Sequence, residues 1–185
     1  MSNLKIEIVD IEELNTPAWR ATHTLRPNLL ILSALLTQYG FVQPIHVARQ
    51  NSIIIDGTER VNLCRNVKAL SGIKKNGIPV IFHDISEKQA MMMHLQMNRG
   101  NNNIVAKKMS SIIKKLYVSG SYTEKDFDDL LCMKRQEFEL MIDGSILKSR
   151  KIQEHNYSRA WVPVEAPPGT IDNGPFIEKP PNQDR

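Results

Sequence analysis

Two cysteines in 185 residues, Cys64 and Cys132, are too few and too far apart for a disulfide framework. Neither has the CxxC or Cys/His spacing of a structural zinc site, so both are expected reduced and buried. Long apolar runs are also missing. No stretch approaches the roughly 20 apolar residues of a membrane helix, and the opening MSNLKIEIVD lacks the apolar segment of a signal peptide. No membrane partner is expected, and the chain reads as cytoplasmic. Neither charge sign dominates: 24 basic and 20 acidic residues give a net charge of +4, which excludes a uniformly basic DNA coat but tolerates a polyanionic partner. With 41% hydrophobic residues, the length suits one domain plus a small appendage.

Within those bounds the first hundred residues alternate between two periods. Ile6, Ile8 and Ile11 suggest an opening strand, followed by an irregular loop with Asn15, Pro17, Trp19, Arg20 and His23. Leu29, Leu30, Leu32, Leu35 and Leu36 recur at helical spacing, with Gly40 where a left-handed stop is expected. Ile45 and Val47 read as a short strand. Ser52 to Asp56 reads as a buried one, because three consecutive isoleucines favour a pleated backbone. A helix from Thr58 or Glu59 to about Leu70 is expected to bury Val61, Leu63, Cys64 and Val67. Ile78 to Phe82, containing Pro79, suits a strand start or a sheet edge. Ser86 with Glu87 predicts a cap for a third helix through Met97, where Met91 to Met93 serve as core filler.

Strand signals stop after Asn103. Val105, Met109, Ile112 and Leu116 follow a helical stripe, with Lys107, Lys108, Lys114 and Lys115 on the opposite face or its flanks. Thr123 caps a predicted short helix containing Phe127, Leu130 and Leu131; Cys132 to Arg135 connects it to a second, Gln136 to Ile142. The pair resembles a helix-turn-helix, but its second helix, counted through Asp143, carries the acids Glu137, Glu139 and Asp143 and no base, which repels phosphate. A packing or dimerisation module is the competing reading, with a homodimer as its partner state. Six of the ten prolines fall beyond Trp161. The expected organisation is residues 1–103, a helical module at 104–150, and an extended Pro-rich tail at 151–185.

Three segments carry chemistry. In IIIDGTER a strand passes through Asp56 and Gly57 into a helix at Thr58, Glu59 and Arg60, a junction that can offer backbone N–H groups and a planar cation to an anion. By spacing alone it is more often an ordinary junction, with Glu59 and Arg60 as a surface pair. GFVQPI places Gly40, Gln43 and Pro44 in a tight turn, where Gln43 either bonds a ligand or fixes the turn. Asn98-Arg99-Gly100 ends a helix, where Asn98 is either part of a C-cap or a neutral ligand for a phosphate-bound magnesium.

In this order, GFVQPI, IIIDGTER, IPVIFHDIS and MNRG resemble the ParB/sulfiredoxin superfamily, specifically the ParB N-terminal (ParB-like nuclease) domain, over about residues 4–103. The resemblance implies an α+β (mixed α/β) nucleotide-binding fold and a reduced helix-turn-helix part to about residue 150. ParB proteins are DNA-partitioning factors that bind CTP with Mg2+, and relatives include ATP-using enzymes and proteins described as nucleases. Carried over by position, Gly40, Gln43 and Pro44 match the triphosphate-contacting segment. Asp56, Gly57, Thr58 and Arg60 fall on the phosphate motif, with Arg20 and Arg99 as auxiliary cations and Asn98 as a metal-side ligand. The implied partners are a nucleotide, CTP or ATP with Mg2+, and DNA through Lys107, Lys108, Lys114, Lys115, Lys134 and Arg135.

The chain departs from the family pattern at three positions. Thr58 replaces the motif's glutamate, Glu59 its first arginine, and Met97 the acidic neighbour of Asn98. One positive charge at the phosphates therefore becomes negative, which argues against hydrolysis by the family route. Glu59 is the remaining candidate for a metal ligand or, in the alternative reading, for the catalytic base of a metal-dependent nuclease or phosphotransferase. A non-catalytic interaction protein on the same fold is a third reading. The short form with its tail suits a phage or mobile element.

Overall fold

A computed structural model describes residues 5–100 and 104–143. Four strands, β1 (Ile6–Val9), β2 (Ile45–Ala48), β3 (Ile53–Asp56) and β4 (Ile78–His83), form one sheet in the order β1-β4-β2-β3. β4 is antiparallel to β1 and parallel to β2, while β2 and β3 are antiparallel. Helices α1 (Arg26–Tyr39), α2 (Thr58–Asn66), α3 (Ser71–Lys75), α4 (Glu87–Gly100), α5 (Ala106–Val118), α6 (Glu124–Leu131) and α7 (Arg135–Asp143) complete the described α+β chain.

Both faces of the sheet are covered over β2, β3 and β4, which is why β3 reads as an unbroken apolar run rather than an alternation. Val47, Ile54 and Val80 pack with Leu36 of α1 and with Val61 and Cys64 of α2. On the other face Ala48 and Ile55 meet Ala90 of α4. α4 also faces away from the sheet, where Met91, Met92 and Leu95 share a second core with α5, α6 and α7, around Ile112, Ile113, Phe127 and Phe138. Met91 and Met92 are core residues, as expected, while Met93 is only partly buried, against the Ala48–Ile55 cluster. The outer edge of β3 is sealed by the loop after β1: Asn15 takes the Ser52 carbonyl and gives its own to the Ile54 N–H, so this edge offers few free backbone groups.

Local chemistry explains where the elements start and stop. Gly40 ends α1 at φ +70°, a backbone that favours glycine, with its N–H on the Leu36 carbonyl. Ser86 and Gln89 cap α4 reciprocally, and Thr123 and Asp126 do the same for α6. Pro79 lies in β4 before its first pairing with β2 at Val80, so its missing N–H breaks no bond on that side.

Several expectations are corrected. Ile6 and Ile8 form a strand but point to solvent, and the buried Ile11 belongs to a 3-10 turn, Ile11–Glu13, capped by Asp10. The helix after Gly57 does not run to Leu70: it ends at Asn66 because Val67 turns extended, and a 3-10 turn and α3 follow. Of the α1 leucines only Leu36 is fully buried, while Leu30 and Leu35 stay exposed with Ile31. Leu130 of α6 is exposed too. Cys64 is buried, but Cys132 is exposed at the left-handed end of α6, where its side chain turns away from the core. α4 runs past Met97 to Gly100, so Asn98 is interior to the helix and not its cap. α7 begins one residue earlier than expected, at Arg135. The Pro-rich tail and Asn101 to Asn103 lie outside the described residues.

Candidate functional site

The Arg60 side chain, only 9% exposed, folds back over the turn that precedes its own helix. Its Nη2 donates to Asp56 Oδ2 at 2.9 Å, and its Nη1 donates to the carbonyls of Gln43 at 2.5 Å and Pro44 at 3.2 Å. One guanidinium therefore ties the strand-glycine-helix turn to the Gln-Pro turn, using the fixed fork that a lysine lacks. Burial lowers the Arg60 pKa and the Asp56 carboxylate opposes that shift, yet the group stays charged. Gly57 at φ +96° makes room: a Cβ there would stand 2.9 Å from Arg60 Nη2 and collide with Ile45. The residue read from sequence as a phosphate ligand is thus also a clamp between the two turns.

Beside that clamp lies a cavity of about 130 Å³ lined by Asp56, Gly57, Thr58, Glu59, Arg60, Asn98, His94, Ile55, Leu32, Thr22 and Thr24. It is well below the ~300–1,000 Å³ of a drug-sized ligand site, so it suits the polar end of a ligand. No side chain caps the N-terminus of α2 at Gly57. The first-turn N–H groups have no intrahelical partner, and the positive end of the helix favours an anion. Each acid in the wall has a cation. Asp56 pairs with Arg60, and Glu59 with Arg20 at 2.7 Å, both members of the latter pair being about four-fifths buried.

His94 was not singled out from sequence. It is 2% exposed at the floor of the cavity, where it accepts the Ala21 N–H on Nε2 at 3.1 Å and its Nδ1 meets the Ile55 carbonyl at 2.7 Å. A carbonyl only accepts, so Nδ1 carries the hydrogen and the ring is neutral. Burial accordingly lowers the His94 pKa. Asn98, one turn on, donates to the His94 carbonyl at 2.8 Å. The i, i+4 spacing of His94 and Asn98 on a methionine-rich helix was the available signal. Thr22 and Thr24 arrive on the loop before α1, held by a backbone bond from Val105 to Ala21.

The structure thus gathers Asp56, Gly57, Thr58, Glu59, Arg60 and Asn98 into one cavity. Gln43 and Pro44 join through Arg60, and Arg20 through Glu59; Gly40 ends the helix before that turn and does not line the cavity. Arg99 points elsewhere, bonding Glu137 of α7 through both guanidinium nitrogens at 2.7 and 3.0 Å. Met97 packs under the sheet near Ala48 and Ile55. Among the described residues no group of three His, Cys, Asp or Glu is placed to hold a metal. With Glu59 committed to Arg20, Asn98 supplies at most one neutral oxygen, so the residues do not fit a magnesium held by protein alone.

Lys107, Lys108 and Lys115 are exposed on α5 and Lys114 is half-buried. Lys108 reaches the Thr22 carbonyl, and Lys115 approaches Glu87 at 3.8 Å. Lys134 and Arg135 are bound to acids of α6 and α7: Asp128 for the first, Glu139 and Glu124 for the second. No described helix is long and apolar enough to cross a membrane.

A sheet of this order with a small polar cavity at its strand-glycine-helix turn defines a class of fold, and a solved structure gives it a name. No protein-family model matches the sequence, and no curated protein does. A Pnob8-like ParB-N domain superposes with a TM-score of 0.51 at 17% identity, covering 82% of this chain and 66% of that one. This chain therefore spans just under two thirds of that domain structure's length. Two structures of C-terminally truncated ParB from Caulobacter crescentus also match. One is complexed to the centromeric parS site (TM-score 0.49, 16% identity, covering 80% of this chain and 79% of that one). The other is complexed with CTP-gamma-S (TM-score 0.41, 14% identity, covering 80% and 90%). The described chain has the fold of a ParB N-terminal domain.

Proposed function

We propose that this chain is a ParB-like nucleotide-binding protein that associates with DNA, and that the cavity beside Gly57 receives nucleotide phosphates. The observation that carries the reading is the Arg60 clamp. It draws the Gln43-Pro44 turn and the Asp56-Gly57 turn together, leaving the uncapped start of α2 facing a cavity that also contains Thr58 and Asn98. Backbone N–H groups and the helix end bind the phosphates; in this reading Arg20, paired with the cavity residue Glu59, exchanges that partner for the incoming charge. The motif resemblance selects CTP or ATP. Because the described residues form no metal cluster, magnesium is expected to arrive with the triphosphate.

DNA contact belongs to α5 in this reading. Lys107, Lys108 and Lys115 are exposed there, with Lys115 3.8 Å from Glu87, whereas the two cations beside α7 lie within 3.0 Å of neighbouring acids. The test is a thermal-shift screen of CTP, ATP, GTP and ADP, each with and without magnesium, because a ligand that prefers the native state must raise the melting temperature. A rise with one triphosphate, reduced by Arg60→Ala by the equivalent of ~1.5–3 kcal/mol, supports the reading. No shift with any nucleotide rejects it. DNA affinity should fall steeply against log salt, and the slope should shrink in Lys107→Ala/Lys114→Ala.

A further inference from the structure

A groove separate from the phosphate cavity runs between the loop before α1 and the outer face of α5. Two adjoining hollows of about 460 and 590 Å³ share Thr16, Pro17, Ala18, Trp19 and Lys115. Trp19 forms part of the floor. Its indole is fixed from below by an edge contact to His94 and by a bond from Nε1 to Glu87 at 3.1 Å. Lys108 and Lys115 stand along one wall with Ile112 between them, and Arg20 closes the end. The groove therefore combines proline, tryptophan and aliphatic surface with three cations against one acid, Glu87. Grooves of this composition recognise extended Pro-rich segments, whose stiff backbone loses little entropy on docking.

The chain itself contains a segment of the complementary kind. Residues 162–172, VPVEAPPGTID, include three prolines, four aliphatic side chains of Val, Ile or Ala type, and the acids Glu165 and Asp172. Between Trp161 and Lys179 no basic residue occurs. Reach is not limiting. α7 ends at Asp143, and its Met141 carbonyl takes the Ser110 hydroxyl of α5, next to the groove residue Ser111. A coil of 18 residues, the number from 144 to 161, would span roughly 23 Å, about twice the ~10–12 Å diameter of the helix to be crossed.

We infer that residues 162–172 dock in cis into the groove formed by Pro17, Trp19, Lys108, Ile112 and Lys115, with Glu165 and Asp172 against the lysines. Docking covers two of the α5 lysines offered above to DNA, so the segment acts there as a competing polyanion. That consequence rests on the DNA reading; the docking does not.

Backbone hydrogen exchange on the full chain tests it. Amides of residues 162–172 are expected to exchange at least tenfold more slowly than free-peptide rates, equally at low and high protein concentration. Lys108→Glu/Lys115→Glu, at exposed positions, should abolish that protection, as should Glu165→Lys/Asp172→Lys, which changes no residue of the described cores. Combining both pairs should restore it. Free-peptide exchange in the parent chain overturns the inference, as does protection that grows with concentration, which would mean a second copy is the occupant. Failure of the combined variant to recover overturns the charge pairing.

Discussion

Arg60 lies across Gly57 so closely that the guanidinium occupies the space into which a side chain at position 57 would project. Glycine is required twice over, by φ +96° and by this contact. Gly57→Ala is expected to cost about 2–4 kcal/mol, combining left-handed strain with overpacking against Ile45 and Arg60. Urea unfolding measures it. A loss under about 0.5 kcal/mol would mean the turn relaxes freely and Arg60 does not fix it.

The pair between Arg20 and Glu59 gives a prediction of opposite sign for its two members. Glu59 puts a carboxylate in the first turn of α2, beside the expected phosphate position, while Arg20 neutralises it. Glu59→Gln should tighten CTP or ATP binding about tenfold, or ~1.4 kcal/mol, because it removes the repulsion and releases Arg20. Arg20→Ala should weaken binding. Isothermal titration of both variants is decisive: equal changes of the same sign would place the pair away from the ligand.

How much of this was visible beforehand depends on whether the signal was local. The run of isoleucines through Asp56-Gly57 into a helix, the Gly40 stop and the Thr123 cap are short-range signals, and each is found where expected. Arg60 lines the cavity together with the other residues of its motif, but its bonds to Gln43 and Pro44 span 17 and 16 residues and follow from no spacing rule. His94 is linked to Ala21 across 73 residues. The end of the helix at Asn66 was missed because Val67 fits a helical apolar stripe, although its β-branched backbone turns extended. Arg99 reads as an auxiliary cation in sequence because its partner Glu137 belongs to a helix 38 residues away.

That Arg99 and Glu137 contact is a polar tie between α4 and α7. Both side chains are about four-fifths buried and the bond is bidentate. Glu137→Ala leaves a guanidinium in a largely dry site, and should cost roughly 2–3 kcal/mol, whereas Arg99→Met/Glu137→Leu should recover much of that loss. Denaturant midpoints of the three proteins give the comparison. A double variant as unstable as the single one would show that the pair contributes through geometry rather than charge.

His94 makes stability depend on pH in a stated direction. In the native state its ring is neutral, with Nδ1–H on the Ile55 carbonyl and Nε2 occupied by the Ala21 N–H. A second proton must displace the Ala21 bond, and burial further holds the pKa below the ordinary histidine value. The unfolded chain takes up that proton near pH 6.5. Between that pH and the lower native value the unfolded state binds more protons, so stability is full above about pH 6.5 and declines as pH falls below it. His46 and His83, whose Nδ1 and Nε2 meet at 2.9 Å, are also lowered, by burial first, and add to the same slope. Gln at position 94 can reproduce both bonds without titrating. Stability measured from pH 7.5 to 5 should therefore fall less steeply in His94→Gln, by up to ~1.4 kcal/mol per pH unit. An unchanged slope would mean that His94 takes its proton in place, and that the bond to Ala21 is not what holds the loop over the cavity.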